Sequence, residues 1–267
     1  MAKYKKKRAR ELQHDRFRDT AMTLFDRFGD RLEGRGRVIL YTLGGIVLVA
    51  VFTLLFLRWN HRKTEEASRA LGRAISIATA PVSAAGSPNA TGPSFTSERE
   101  RAQKAVEEFQ KVAAKYGEPY RSEARYLAAT NLLSTDRNKG LAELTELSKG
   151  SNADVAALAK FALAQAYEAD AKYDDAALLY RELAASTSHV VTPETANLRL
   201  ALVYAKQGKK KEASDLLFNI VDASRKAKGA DDLPAPPSGA ASDAAKELQK
   251  LDPDRYAQLP PETPALG

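Results

Sequence analysis

Two stretches decide the fold: residues 160–183, KFALAQAYEADAKYDDAALLYREL, and residues 197–220, NLRLALVYAKQGKKKEASDLLFNI. Laid over one another at an offset of 37, they agree in residue or in role at seven positions. Leu163, Ala164, Tyr167, Ala171, Ala176, Tyr180 and Leu183 fall on Leu200, Ala201, Tyr204, Gly208, Ala213, Leu217 and Ile220. Large-small-x-x-large, a turn residue, then small-x-x-x-large-x-x-large is the pattern of two antiparallel helices. The small residues let the two backbones approach, and the large ones fill the space between neighbouring pairs. One pair cannot bury its apolar face alone, so several must stack.

Working outward, weaker copies precede these two. Leu127, Ala128, Gly140, Leu144 and Leu147 fit one, with Asn131 at the tyrosine position. Leu71, Gly72 and Ile75 open another, whose second helix is Ser97 to Tyr116 with Ala105, Phe109 and Val112 on its apolar face. Between those two helices, Ala80 to Thr96 is rich in Ala, Ser, Gly and Pro and is expected to be a mobile linker. Ser97 with Glu100 forms a capping-box pair, and Thr192 followed by Pro193 and Glu194 is a helix start. The pattern resembles the tetratricopeptide repeat, although Lys160 and Asn197 stand where that motif has its first large residue, and Leu183 and Ile220 where it has its last small one. Extra residues in the Ser186–Val191 turn account for the longer offset. Beyond Ala223, the Gly- and Pro-containing stretch Lys228 to Gly239 reads as a linker and Ser242 to Leu251 as one short helix. Asp252 onward, with Pro253, Pro260, Pro261 and Pro264, is expected to be a disordered tail.

Upstream, Val38 to Leu57 reads VILYTLGGIVLVAVFTLLFL, twenty residues without a charge. At ~1.5 Å per residue it spans about 30 Å, the hydrocarbon thickness of a bilayer. Fourteen of its residues are Val, Ile, Leu or Phe, which favours insertion by about 4 to 8 kcal/mol. Arg35, Arg37, Arg58, Arg62 and Lys63 bracket the run and Trp59 stands at its edge, which argues against a buried core helix. The long preceding arm and the absence of a small-residue cleavage site argue against a cleaved signal peptide. Residues 1–37 hold twelve Lys/Arg against six Asp/Glu, so the net charge of +7 belongs almost wholly to this arm. Lys3 to Arg10 serves as a topology signal or attracts anionic lipid or nucleic acid, the topology signal being preferred. Phe17, Ala21, Leu24, Phe25, Phe28 and Leu32 share one face of a helix that would lie on the bilayer surface or dock on a cytosolic partner. The Lys/Arg counts close to the run tie, and the arm breaks the tie toward a cytoplasmic N-terminus.

The expectation is therefore all-α: a single transmembrane helix plus a tetratricopeptide-like solenoid of antiparallel helix pairs. Its segments are 1–37 basic arm, 38–57 membrane helix, 58–79 post-membrane helix, 80–96 linker, 97–225 repeat domain and 226–267 linker, short helix and tail. The chain has no cysteine, which excludes disulfides, thiolate metal sites, cysteine nucleophiles and lipid attachment to cysteine. His14, His61 and His189 are scattered, and no glycine-rich phosphate loop or nucleophile motif is present. Glu107/Glu108 and Asp174/Asp175 read as solvated helix faces. The sequence points to no enzyme, cofactor, metal, small-molecule substrate or nucleic-acid partner, and toward the lipid bilayer and other proteins. Mapping the groove positions of the repeat gives Ser122, Arg125, Ala129 and Leu132, then Leu158, Phe161, Gln165 and Glu168, then Thr195, Leu198, Leu202 and Ala205. Such a groove suits an extended or helical peptide with apolar anchors. The competing reading packs Phe161, Leu198 and Leu202 under the C-terminal helix.

From Arg35 to Ala223 the order of parts resembles the YfgM-like family of membrane-anchored tetratricopeptide repeat proteins of the bacterial inner membrane. The resemblance includes the run Trp59 to Ile75, where a tryptophan precedes a helix holding Ala67, Ala70, Leu71 and Ala74. It implies a cytoplasmic N-terminus, a periplasmic repeat domain and an accessory role at the Sec translocon beside a membrane-anchored periplasmic chaperone. The long arm, the 80–96 linker and the proline-rich tail depart from the simplest members. A scaffold for envelope assembly or cell division, and a cytoplasm-facing adaptor, are the alternatives on the same architecture.

Overall fold

A computed structural model describes residues 36–83, 93–229, 233 and 235–261; within the first helix, side chains are described only at 48–53 and from 63 onward. Every regular element among the described residues is a helix, and an isolated bridge pairs Val82 with Phe95. The chain divides into residues 1–64 and residues 65–267. Helix α1, Gly36–Ala78, is continuous through the two segments read as membrane and post-membrane helices. The rest are α2 Glu98–Lys115, α3 Tyr120–Thr135, α4 Arg137–Leu147, α5 Ala153–Ala169, α6 Tyr173–Ala184, α7 Pro193–Lys206, α8 Lys210–Lys226, α9 Gly239–Leu251 and the single turn α10 Pro253–Tyr256.

From α2 to α9 each helix packs on the next, α3 also touches α5, and α7 also touches α9. That is a stack of helix pairs: the end of α1 with α2, α3 with α4, α5 with α6, and α7 with α8. Leu163, Ala164, Ala176, Tyr180 and Leu183 are buried, as are Leu200, Ala201, Ala213, Leu217 and Ile220. Most helices begin on a side-chain cap worth about 1 kcal/mol. Ser97, Asp136, Asn152, Thr192 and Ser238 each accept a backbone N–H three residues on. Glu100 reaches back to the Thr96 N–H and hydroxyl, completing the box one residue earlier than the usual partner.

The two intra-pair turns repeat in detail. Ala171 (φ 56°) and Gly208 (φ 77°) both occupy the left-handed region. In each turn this residue donates its N–H to the carbonyl three back, and the next residue donates to the carbonyl five back: Ala171 to Glu168 and Lys172 to Tyr167, Gly208 to Ala205 and Lys209 to Tyr204. This double bond satisfies helix-end carbonyls. Lys172 and Lys209 then lie over the rings of Tyr167 and Tyr204 at 5.6 and 5.4 Å, a cation–π contact at the place where an apolar one is usual.

Four expectations are corrected. The first copy is phased differently: Ala67, Leu71 and Ala74 are buried, while Gly72 faces open space and Ile75 is exposed. The stripe at 67, 71 and 74 pairs small residues with a large one, and this is what packs on Phe109 and Val112. The 80–96 linker is tied at both ends. Ser83 donates its N–H to the Phe95 carbonyl, Phe95 donates its own to the Pro81 carbonyl, and Arg101 donates to the Ala80 carbonyl at 3.1 Å; residues 84–92 lie outside the described residues. The short C-terminal helix begins at Gly239, because Ser238 caps it. The expected tail is ordered through Pro261. Asp252 caps a proline-initiated turn, Leu259 is buried, and Arg225 donates to the Pro260 carbonyl. Two backbone bonds, Gly229 to Leu233 and Ala235 to Ala227, close the loop before α9. The arm's amphipathic stretch and residues 262–267 lie outside the described residues. Among the described residues no helix is long and apolar enough to cross a membrane, so the expected span rests on the sequence of Val38–Leu57.

A Cβ on Gly140 would meet backbone atoms of α3, Leu133 N at 2.8 Å and Ala129 O at 3.0 Å. Gly140→Ala is expected to lower stability in urea unfolding by about 1–2 kcal/mol, although helix propensity alone favours alanine by about 1 kcal/mol. Ala171→Gly, which relieves a left-handed alanine, is expected to raise it by about 0.5–1 kcal/mol in the same assay.

Candidate functional site

A cleft of about 580 Å³ opens between α2 and α4 over α3, a size within the ~300–1,000 Å³ of ordinary ligand sites. Gln110 and Ala113 come from α2, Arg125, Ala128 and Leu132 from α3, and Lys139, Ala142, Glu143, Thr145 and Glu146 from α4. Four of the ten lining side chains are short, Ala113, Ala128, Ala142 and Thr145, and the three alanines form the floor between longer polar residues. Arg125 Nε donates to Glu143 at 2.6 Å, and that bond holds the guanidinium above its ordinary pKa. Lys139 is paired with Asp136 at 2.9 Å. The side chains of Gln110 and Glu146 make no hydrogen bond or ion pair among the described residues, although the Glu146 charge also acts on Arg125.

The twelve positions mapped as one first-helix groove do not assemble as one. Arg125 and Leu132 meet in the cleft, whose walls are the second helices α2 and α4. Ser122 is buried, with its hydroxyl accepting from Asn152 of α5 at 3.1 Å, and Ala129 is buried against Leu144 and Leu147. Leu158 and Phe161 belong to the core between α5, α6 and α7, and the Phe161 ring meets Tyr180 edge-on at 5.7 Å. Gln165 is exposed, and Thr195 and Ala205 are half-buried. Leu198 and Leu202 lie beneath α9 with Ala241, Ala244 and Leu248, so for these two the packing alternative holds. For Phe161 the cover is its own partner helix. The common cause is rotational phase. Ala129 and Phe161 thus face the second helix of their own pair, and Leu198 and Leu202 face α9.

Glu168 has a different fate. It lies in the last turn of α5 and is buried, 7% exposed. Its carboxylate accepts from the Tyr180 hydroxyl of α6 at 3.2 Å, and from Arg199 and Lys206 of α7 at 2.6 and 2.8 Å. Arg199 also donates to the Tyr180 hydroxyl at 3.4 Å. Burial pushes the Glu168 carboxyl up, but the Lys206 bond, the two cations and the tyrosine outweigh it and hold the pKa below its ordinary value. Burial pushes the Tyr180 phenol up to about 12. Burial works against the Arg199 cation as well, yet Tyr180 and Glu168 keep it above its ordinary value. This network joins two helix pairs. A second polar tie joins α4 to α5: Arg137 pairs with Asp170 at 2.7 Å and donates to the Ala166 carbonyl at 2.8 Å.

Sequence reasoning did not find the α4 wall of the cleft or the partners of Glu168. A usable signal was present: Arg125 and Glu143 are opposite charges at positions that are apolar, Phe161 and Leu179, one copy later. No cluster of potential metal ligands occurs among the described residues.

Because the folded Glu168 pKa is depressed, its contribution is full above the reference value of 4.5 and is lost as pH falls through the lower folded value. Glu168→Gln is expected to cost about 1–3 kcal/mol at pH 7, since Arg199 and Lys206 are partly exposed and regain water. It is also expected to flatten the loss of stability below pH 4.5, read by thermal unfolding across a pH series. An unchanged acid slope would remove Glu168 from this role. No protein-family model, curated protein or solved structure matches the chain.

Proposed function

We propose that this chain is a membrane-anchored protein–protein interaction module. Val38–Leu57 is its anchor and the helix-pair stack its binding part. The observation that carries the reading is the bare apolar surface of α1. Leu48, Val49 and Phe52 are 70%, 68% and 74% exposed and Val51 is 47% exposed, and at 100° per residue the described positions 48–53 run around the whole helix. A helical stretch that is apolar on every side, and exposed over residues 48–53 among the described residues, needs a nonaqueous environment. The charged residues on both sides of the run and Trp59 at its edge support a bilayer over a protein core.

The basic arm supports a cytoplasmic N-terminus with the stack across the membrane, and the resemblance in the order of parts makes that membrane a bacterial inner membrane and that side its periplasm. With the resemblance in the order of parts, this favours an accessory of the Sec translocon and its periplasmic chaperone network. The cleft supports binding over catalysis: its charged side chains Arg125 and Lys139 are tied up in ion pairs over an alanine floor, and no nucleophile stands beside a base among the described lining residues.

The protein is expected to stay with membranes in alkaline carbonate, and a chain lacking residues 38–57 to be released. A reporter active only in the periplasm, fused after Gly267, is expected to be active. An inactive fusion reverses the orientation, and release of the full chain by carbonate removes the anchor. Photo-crosslinking in membranes is expected to recover translocon subunits; recovery of none removes that partner class.

A further inference from the structure

The cleft over α3 is the place in the stack where one repeat lacks what the next has built in. The buried positions Gly140, Leu144 and Leu147 of α4 correspond, 36 residues on, to Ala176, Tyr180 and Leu183 of α6. At that same offset Arg125 corresponds to Phe161, Ala142 to Leu178 and Glu143 to Leu179. In the α5–α6 pair, Phe161 and Leu179 pack into the core, with the Phe161 ring edge-on to Tyr180. In the α3–α4 pair the Arg125–Glu143 ion pair stands where Phe161 and Leu179 pack, and the space stays open; Leu178 itself is 50% exposed, so Ala142 matters through its place on the cleft wall. Its natural filling, one repeat along, is an aromatic ring.

Charge narrows the occupant. Arg125 and Glu143 neutralise each other, and Lys139 is neutralised by Asp136. That leaves Glu146 as the lining carboxylate without an ion pair among the described residues, felt only at longer range by Arg125, with the Gln110 amide on the opposite wall as an unpaired donor and acceptor. We infer that the cleft takes a polypeptide segment of a partner protein that presents an aromatic side chain next to a Lys or Arg. The ring enters over Ala113, Ala128 and Ala142, the cation meets Glu146, and Gln110 bonds the segment's backbone. This rests on the interaction-module reading above and assigns its site and the chemistry of its partner.

The test uses the full chain in detergent micelles and a fluorescein-labelled peptide, Gly-Ser-Phe-Lys-Ser-Gly-Ser, followed by fluorescence anisotropy. The wild type is expected to bind it, and to bind the Phe-to-Ser peptide at least about tenfold more weakly. Ala142→Leu copies the residue found at the equivalent position of the next repeat, so it is compatible with the fold; it is expected to weaken binding about tenfold with an unchanged melting temperature. Glu146→Lys is expected to weaken the lysine peptide by about three- to tenfold and to favour the version with Glu in place of Lys. Equal affinities for wild type and Ala142→Leu overturn the assignment. If an array of varied peptides then still binds the chain, the module reading survives without this cleft. If no arrayed peptide binds, both fall.

Discussion

The stack depends on how closely paired backbones approach. At Gly140 the α4 backbone lies so near α3 that a single methyl group would touch main-chain atoms of Ala129, Leu132 and Leu133. Ala176 and Ala213 hold the same place in the next two pairs and are fully buried. Approach at this distance brings the surrounding large residues, Leu144, Tyr180 and Leu217 among them, into the space between pairs, where dispersion and apolar burial add up over many weak contacts. The tight left-handed turns at Ala171 and Gly208 follow from the same demand. They reverse the chain in a few residues and satisfy helix-end carbonyls as they do so.

Within that apolar frame one junction is polar. Glu168 sits where Leu132 stands in the preceding pair and Ala205 in the following one, and it is held by three donors from two helices. A buried ion pair is weak evidence for added stability, because desolvation opposes the Coulomb gain. Here the penalty is moderated: Arg199 and Lys206 keep 30% and 51% of their side-chain surface in water. What the network supplies is direction. Apolar contacts between α5, α6 and α7 tolerate sliding, whereas a carboxylate with three fixed donors fixes the register in which the third pair meets the fourth. Arg137, bonded to Asp170 and to the Ala166 carbonyl, gives the second pair a similar fixed point on the third.

The sequence carried the pairing because small and large residues alternate at fixed spacing in both halves of each strong copy, and two helix starts are written in Ser97 and Thr192. It did not carry rotation. A hundred-degree error in helix phase leaves the spacing intact while exchanging a solvent face for a contact face. That is why Leu71, Gly72 and Ile75 were grouped although Ala67, Leu71 and Ala74 are the buried set. It is also why Phe161, Leu198 and Glu168 were read as groove positions. The ordered end of the chain was hidden for another reason. Pro253, Pro260 and Pro261 signal an irregular backbone, which is correct, but irregular backbone is held when a buried side chain such as Leu259 and an arginine such as Arg225 grip it.

The two parts of the proposed function fit each other energetically. An open cleft floored by alanines, with one unpaired carboxylate, offers a single ring and a single cation to hold, and binding of that kind is weak because immobilising a flexible segment offsets much of the contact energy. Weak binding is no obstacle when receptor and partner are confined to the same membrane. Confinement replaces three-dimensional search by a high effective concentration, so occupancy is set by proximity and exchange stays fast. A site that must hand a segment on needs that fast exchange. On this view the apolar run of α1 and the Arg125–Glu143 pair, which stands where Phe161 and Leu179 pack one pair later, are parts of one arrangement: the first makes a low-affinity cleft sufficient, and the second keeps the cleft from being filled by the protein itself.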